Sequence, residues 1–596
     1  MSAGAHLLVA AIDFGTTFSG YAYSFRTDHD KDPLKIYANV EWNTGNTEEG
    51  TRTCATLKTP TTVLFKKDGS FHSFGYEAES KYADLLEEDE ADGWFYFKHF
   101  KMLLYRAMGL EENLGRRRRP RKITRDMMLK DESGKTMKAL SVFSEAIRYL
   151  RNHLLTQLKE STDLDLVDDK YILWVLTVPA IWGQEAKQFM REAAEMAGIM
   201  ENKLQLALEP EAAAIYCKEL AMQKKDGNEQ SMESFHPGRC FMILDCGGGT
   251  VDITVHRVQN RGSLEELFPP SGGPWGGTNV DMRFYDFLSD VFGRGTWKSF
   301  KDTSPLSFLE LQRAFDVKKR LQGQEEKITL TNGISEIMDE FKDQMKRDFT
   351  IPGNLTRSVK ISKKRLRIDV EVMKGFFNNA VDSISDHLID LFKKPEIERV
   401  DTILMVGGFS ESSQVKERIK AKFPSKRFII PREASLAVLK GAVIFGHSPR
   451  SITTRCSPAT FGVATDVPFD EKKHPINHMH MKDGSRVCTD VFKIMIAKDQ
   501  PQMIGDTYYE EFFRPSRADD TIAEIEVYAS TKRYPRYTTD EGCKKVGVVK
   551  IQIPNTRKGK DRLIKITMHF GHTELFVTAL ENGTNNIVSA KFDCLQ

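Results

Sequence analysis

Asp13-Phe14-Gly15-Thr16-Thr17 closes a short apolar run at residues 7–12, and Asp245-Cys246-Gly247-Gly248-Gly249-Thr250 closes another at residues 241–244. In each case an acid ends a strand-like segment and is followed by glycine and hydroxyl residues. A carboxylate so placed can approach a metal, while a tight glycine turn aims backbone N–H groups and hydroxyls at phosphate. One such turn is ordinary punctuation between strands. Two in this order are much harder to dismiss, and the second runs straight into Val251-Asp252-Ile253-Thr254-Val255. A third glycine element, Val406-Gly407-Gly408-Phe409-Ser410, follows an apolar run at 403–406 and would let a nucleoside lie against bare backbone.

The runs at 7–12, 172–178, 241–244 and 403–406 are short, apolar and bounded by glycine or proline, which suits strands buried on both faces of a sheet. Between them, 183–198 and 209–220 carry helical spacing, the second with Pro210 one residue inside its start. This alternation predicts an α/β fold. The polar stretch 221–238 reads as an exposed loop. Residues 302–392 are dominated by charged helical sequence, notably 306–324 and 369–392, and predict a helical subdomain beside the second sheet. After about residue 450, short alternating runs at 522–529, 546–553, 563–570 and 574–579 predict a separate β module.

With 596 residues the chain exceeds what one core usually organises, so several lobes are expected. Its 86 basic and 84 acidic side chains leave a formal charge of +2, and no global field argues for nucleic acid or an anionic membrane. The basic run Arg116-Arg117-Arg118-Arg119-Pro120-Arg121-Lys122 reads as a solvated insertion, with a nuclear address as the alternative. The eight cysteines are scattered, with no Cys-x-x-Cys pair, which favours a reducing compartment. The amino-terminal segment reads as a first strand and not as a signal peptide. The longest apolar stretch, 171–182, is well short of the roughly 20 residues a membrane span needs.

Two acidic phosphate loops and a late double glycine resemble the superfamily of actin, sugar kinases and heat-shock ATPases. Within it, Val178-Pro179-Ala180, a helix through Ala197-Gly198 and Glu209-Pro210-Glu211-Ala212-Ala213-Ala214 resemble the connecting segment of the heat-shock 70 kDa chaperone family. The ordered series extends over residues 7–446, and its spacing and insertions most resemble the divergent heat shock 70 kDa protein 12 subfamily. The resemblance implies two ribonuclease H-like lobes of an actin-like ATPase over residues 1–450. Lobe I would span about 1–204 and lobe II about 205–450, followed by a mostly β module at 451–596 without a helical lid.

Carried over position by position, the resemblance implies ATP or ADP with Mg2+ as ligands. Asp13 and Asp245 would hold magnesium through water, while Gly15, Thr16, Thr17 and Gly247, Gly248, Gly249 and Thr250 cradle the phosphates. Glu209 would orient the attacking water. A lysine should offset charge on the transferred group, and Lys101 is the choice, with Lys98 as competitor. Asp316, Lys319 and Arg320 would bracket the adenosine from one side, with Gly407, Gly408 and Ser410 on the other. For every charged residue here the bland alternative is a surface ion pair worth about 0 to 1 kcal/mol. In Pro431-Arg432-Glu433-Ala434 an arginine stands where the family usually has an acid.

The family's apolar, acidic linker to its substrate-binding β domain has no counterpart here; Ser448-Pro449-Arg450-Ser451 enters the tail instead. Expected partners are proteins, in the cytoplasm with nuclear access open. The leading expectation is a slow, switching ATPase. A nucleotide-gated scaffold without turnover is the second reading, and a small-molecule kinase, for which no catalytic base is evident, the third.

Overall fold

A computed structural model describes residues 6–39, 42, 57–108, 122–161, 169–223, 234–320, 327–362, 364–482, 484–505, 509–571, 573–581 and 593–595. The basic run at 116–121, most of the loop at 221–238 and the side chain of Arg320 lie outside the described residues.

Each apolar run read from the sequence becomes a strand, and the two acidic motifs occupy matching places in two sheets. In the first, Leu8–Phe14 pairs in parallel with Ile172–Val178 on one side and antiparallel with Phe18–Phe25 on the other. In the second, Cys240–Cys246 pairs in parallel with Thr402–Val406 and antiparallel with Val251–Val258. Both central strands are buried along their whole length, as a sheet covered on both faces requires. Among the described residues, the first sheet has six strands and the second seven. The chain is thus a two-lobed α/β protein of ribonuclease H-like lobes with a strand-rich C-terminal region.

Two helices cross between the lobes, Glu209–Gln223 and Ala437–His447, and share a core with Val9, Val175, Phe241 and Leu404 from both sheets. Their approach is so close that a Cβ on Gly441 would stand 1.7 Å from the Ala212 carbonyl oxygen. The strands and the crossing helices therefore fix where the two acidic loops meet.

The stretch 302–392 is not wholly helical. Pro305–Arg320, Ile334–Met345, Val370–Phe376 and Asn378–Phe392 are helices, but Lys327–Leu330, Val359–Ser362 and Arg365–Asp369 form a small sheet. In Arg365–Asp369, Leu366 and Ile368 are buried while Arg365 and Arg367 are exposed. That two-residue period is short, and the surrounding lysines and arginines mask it.

Beyond residue 451, Ile452–Cys456 does not leave lobe II; it pairs with Leu264–Gly273 and extends the second sheet. Pro501–Met503 joins it at that edge, and the other strands build a five-stranded sheet centred on Thr460–Pro468 and a three-stranded sheet of Tyr509–Phe513, Ile564–Gly571 and Glu574–Glu581, counted over the described residues. Their inner faces share one core through Phe461, Val527, Val549, Ile566 and Val577, which makes this module a β-sandwich.

Candidate functional site

Asp13 sits one residue before the end of its strand, where the parallel neighbour brings Thr177 alongside. The Thr177 hydroxyl donates to Asp13 Oδ1 at 2.8 Å, and Lys58 Nζ donates to Asp13 Oδ2 at 2.6 Å and to the Ser435 carbonyl of lobe II at 2.7 Å. Burial alone would raise the Asp13 carboxyl, but Lys58, Lys101 and Thr177 carry it below the ordinary carboxylate range.

In the second hairpin the register sets Asp245 directly opposite Asp252. Both are buried. Burial, then the charges of Glu209, Asp252 and Asp13, push Asp245 well above the ordinary range. Asp252 is raised by burial and held back by the Ile181 N–H, which donates to it at 3.1 Å, and by the Thr250 hydroxyl.

Glu209 opens the helix that leaves lobe I, and its Oε1 accepts from Lys101 Nζ at 2.7 Å. Lys101 is 2% exposed, and its ammonium also lies 5.2 Å from the Trp182 ring centre. Burial and the neighbouring Asp13 and Asp252 outweigh Lys101 and bring Glu209 to about 7. Lys98 does not join this group; its Nζ meets Gln312 at 3.5 Å.

The phosphate loop of lobe II is tied back by its carbonyls. Gly277 N donates to Gly247 O, Thr278 N to Gly248 O and Gly276 N to Gly249 O, at 2.8 to 3.2 Å. Carbonyl and N–H point in opposite directions across a trans peptide, so the N–H groups of Gly248, Gly249 and Thr250 are aimed away from that helix start. Facing them is the lobe I loop: a Cβ on Gly248 would stand 2.2 Å from Thr17 Oγ1, and one on Gly249 2.7 Å from Thr16 Oγ1. The two loops thus lie against each other across the cleft.

The third glycine element reaches the same cluster. Gly407 has φ +82°, and a Cβ there would stand 2.5 Å from Asp245 Oδ1. Ser410 Oγ donates to Gly407 O at 2.7 Å, which holds the Gly407-Gly408 turn. Lys319 is engaged with Asp281 at 2.5 Å and Asp316 at 3.0 Å, so its charge is already met within lobe II.

Four buried or nearly buried carboxylates, Asp13, Asp245, Asp252 and Glu209, thus share the cleft with two ammonium groups, Lys58 and Lys101. Fully ionised, they sum to two negative charges, the deficit that one divalent cation offsets. Among the described residues, no three His, Cys, Asp or Glu side chains form a group that could hold a metal ion. Asp13 and Asp245 do offer carboxylate oxygens, the hard donor type that magnesium takes together with water.

The sequence reading had not assigned Lys58, Thr177, Asp252, Trp182 or the segment 276–278. Asp252 did leave a signal, as the one acid in the buried run 251–255.

The cleft connects to the β-sandwich. Ile181 and Trp182, which touch Asp252 and Lys101, lead into the helix Gln184–Met196. Along that helix Gln184 accepts from the Leu575 N–H at 3.0 Å, Lys187 donates to the Thr573 carbonyl at 2.9 Å, and Arg191 pairs with Glu574. Gln188 accepts from Cys594 N at 2.7 Å, and Arg125 bridges Glu192 and Asp593. A cavity of about 230 Å³ lies at this junction, lined by Trp182, Lys187, Glu266, Arg455 and Thr573 among others.

A family model described as Hsp70 protein matches residues 123–448. Heat shock 70 kDa protein 12B of Homo sapiens is 35% identical, with the alignment covering 99% of this chain and 91% of the relative. Heat shock 70 kDa protein 12A of Mus musculus is 34% identical over 99% of this chain and 92% of its own length.

Proposed function

Because the chain belongs to the Hsp70 family, we propose that it binds ATP with magnesium between its two lobes, hydrolyses it slowly, and uses nucleotide state to set the protein contacts of its β-sandwich. The buried Lys101–Glu209 pair carries this reading, because it lies in the cleft with Asp13 and Asp252, close enough for their charges to act on Glu209.

In the proposed site Thr16, Thr17 and the N–H groups of Gly248, Gly249 and Thr250 hold the phosphates once the lobes part. Asp13 and Asp245 hold magnesium through water, and the ion, when bound, neutralises charge on the phosphate oxygens. Glu209, ionised, accepts a hydrogen bond from the attacking water and orients it, while Lys101 offsets charge gathering on the transferred group. Gly407, Gly408 and Ser410 form one wall for adenosine; Asp316, Lys319 and Arg320 are assigned to the other. Opening the loops would strain the segment 181–184, and through Gln184 and Lys187 it would load the turn at 573–575. Protein partners in the cytoplasm are the proposed setting. All seven described cysteines are free, which supports a reducing compartment.

The second reading, a nucleotide-gated scaffold without turnover, is favoured by the tight contact of Gly248 with Thr17. Single-turnover hydrolysis with magnesium separates the two. The ATPase reading expects the parent to turn over and Glu209→Ala to bind ATP without turning it over; binding without turnover in the parent favours the scaffold.

A further inference from the structure

We propose that Lys58 is a built-in cation of the phosphate site that offsets part of the charge magnesium would otherwise meet, so that nucleoside triphosphate binding depends less on magnesium; this rests on the nucleotide-binding reading above. The two hairpins are matched in topology but not in chemistry. Across the second, Asp245 faces another acid, Asp252. Across the first, Asp13 faces Gly20.

The absent side chain at Gly20 leaves room for the lysine stem. A Cβ there would stand 3.0 Å from Lys58 Cγ and 3.1 Å from the Leu57 carbonyl oxygen, so its neighbours would have to give by a few tenths of an ångström. The Lys58 side chain thereby crosses the hairpin and delivers its ammonium 2.6 Å from Asp13 Oδ2. Thr177 takes the other carboxylate oxygen, so Asp13 is neutralised and oriented by the protein itself.

The lysine's segment is also sewn to the phosphate loop. Thr59 and Pro60 pair with Ser19 and Phe18, Thr61 N donates to Thr17 O at 2.9 Å, and Thr61 Oγ1 donates to Gly15 O at 2.9 Å. A phosphate seated on Thr16 and Thr17 is therefore held by a loop whose position and that of Lys58 are fixed by the same hydrogen bonds. Without Lys58, four carboxylates would face one ammonium, and a polyphosphate would need a metal to approach them. A purely structural interlobe latch would also use the Ser435 carbonyl, but it would not require the charge to sit on Asp13.

The test is calorimetric titration of the full chain with ATP, once in excess magnesium and once in EDTA. The parent should bind metal-free ATP within about tenfold of its magnesium affinity. Lys58→Met should weaken metal-free binding at least about tenfold more than it weakens magnesium-ATP binding, and Lys58→Arg should recover most of that difference. Strict magnesium dependence in the parent overturns the proposal. So does an equal loss in both conditions for Lys58→Met, which is the signature of a latch. Absence of ATP binding by the parent in either condition overturns the nucleotide reading itself, and this inference with it.

Discussion

Asp245 and Asp252 stand directly opposite each other across an antiparallel hairpin, both buried, in a register that places their carboxylates on the same face of the sheet. Like charges so paired destabilise a sheet unless a cation or a proton comes between them. The arrangement is therefore costly to the empty protein and useful to a cation-loaded one. Asp252→Asn should stabilise the nucleotide-free chain by about 1 kcal/mol while weakening the magnesium dependence of ATP binding. Chemical denaturation with and without Mg-ATP reads both effects, and destabilisation of the empty protein would contradict the charge argument.

Lys101 and Glu209 form a pair that neither partner can leave cheaply. Lys101→Met strands a buried carboxylate and should cost about 3 kcal/mol, whereas adding Glu209→Gln should return most of that loss. A double-mutant cycle on unfolding free energy checks it. Additive losses would mean the two side chains act independently.

Glu209 titrates near 7 because burial and neighbouring acids outweigh Lys101. Its ionised form is the stronger acceptor for the attacking water and can take that water's proton. Single-turnover hydrolysis should consequently rise as pH increases through about 7, while any residual rate of Glu209→Gln stays flat. A parent profile falling over the same range would remove Glu209 from the proposed role.

The junction between lobe I and the β-sandwich should be weakest near pH 8. Burial, then Glu211, raises Glu266 to about 8, and burial lowers Lys187 to about 8. Between 4.5 and 8 the folded chain keeps a proton on Glu266 that the unfolded chain releases, so stability falls as pH rises. Between 8 and 10.5 the unfolded chain keeps a proton on Lys187 that the folded chain has lost, so stability rises. Hydrogen exchange at the Leu575 amide, corrected for intrinsic rate, should show its largest opening constant near pH 8; a monotonic profile would contradict the pairing.

Gly441 tests the crossing of the two interlobe helices. Gly441→Val should cost at least about 3 kcal/mol, because the added Cβ meets the Ala212 backbone and not a side chain that can swing away. Tolerance of valine, read by thermal unfolding, would mean the helices separate readily.

Much of the site was legible in the sequence because its parts are local. Asp13 and Asp245 end apolar strands, and glycines follow each within five residues. Glu209-Pro210 carries its own helix-start signal, and Gly407 had to be glycine at its positive φ. What stayed hidden was set by register and by long-range approach. Lys58 lies 45 positions from Asp13 and reaches it across the hairpin beside Gly20, which falls opposite Asp13. Thr177 meets Asp13 because two parallel strands align Leu176 with Ile12. In the fold, Ile452–Cys456 falls in the stretch read as a separate β module but joins the second sheet, because a five-residue strand does not say which sheet it pairs with.

The most direct test of the account is hydrogen exchange at the amides of Gly248, Gly249 and Thr250, compared with Leu575, before and after adding Mg-ATP. If these loops hold phosphate and report to the β-sandwich, the three loop amides should gain at least about tenfold protection, and the rate at Leu575 should change in the same titration. Unchanged exchange at the loop amides at saturating nucleotide would contradict the site, and protection there with Leu575 unmoved would contradict the coupling.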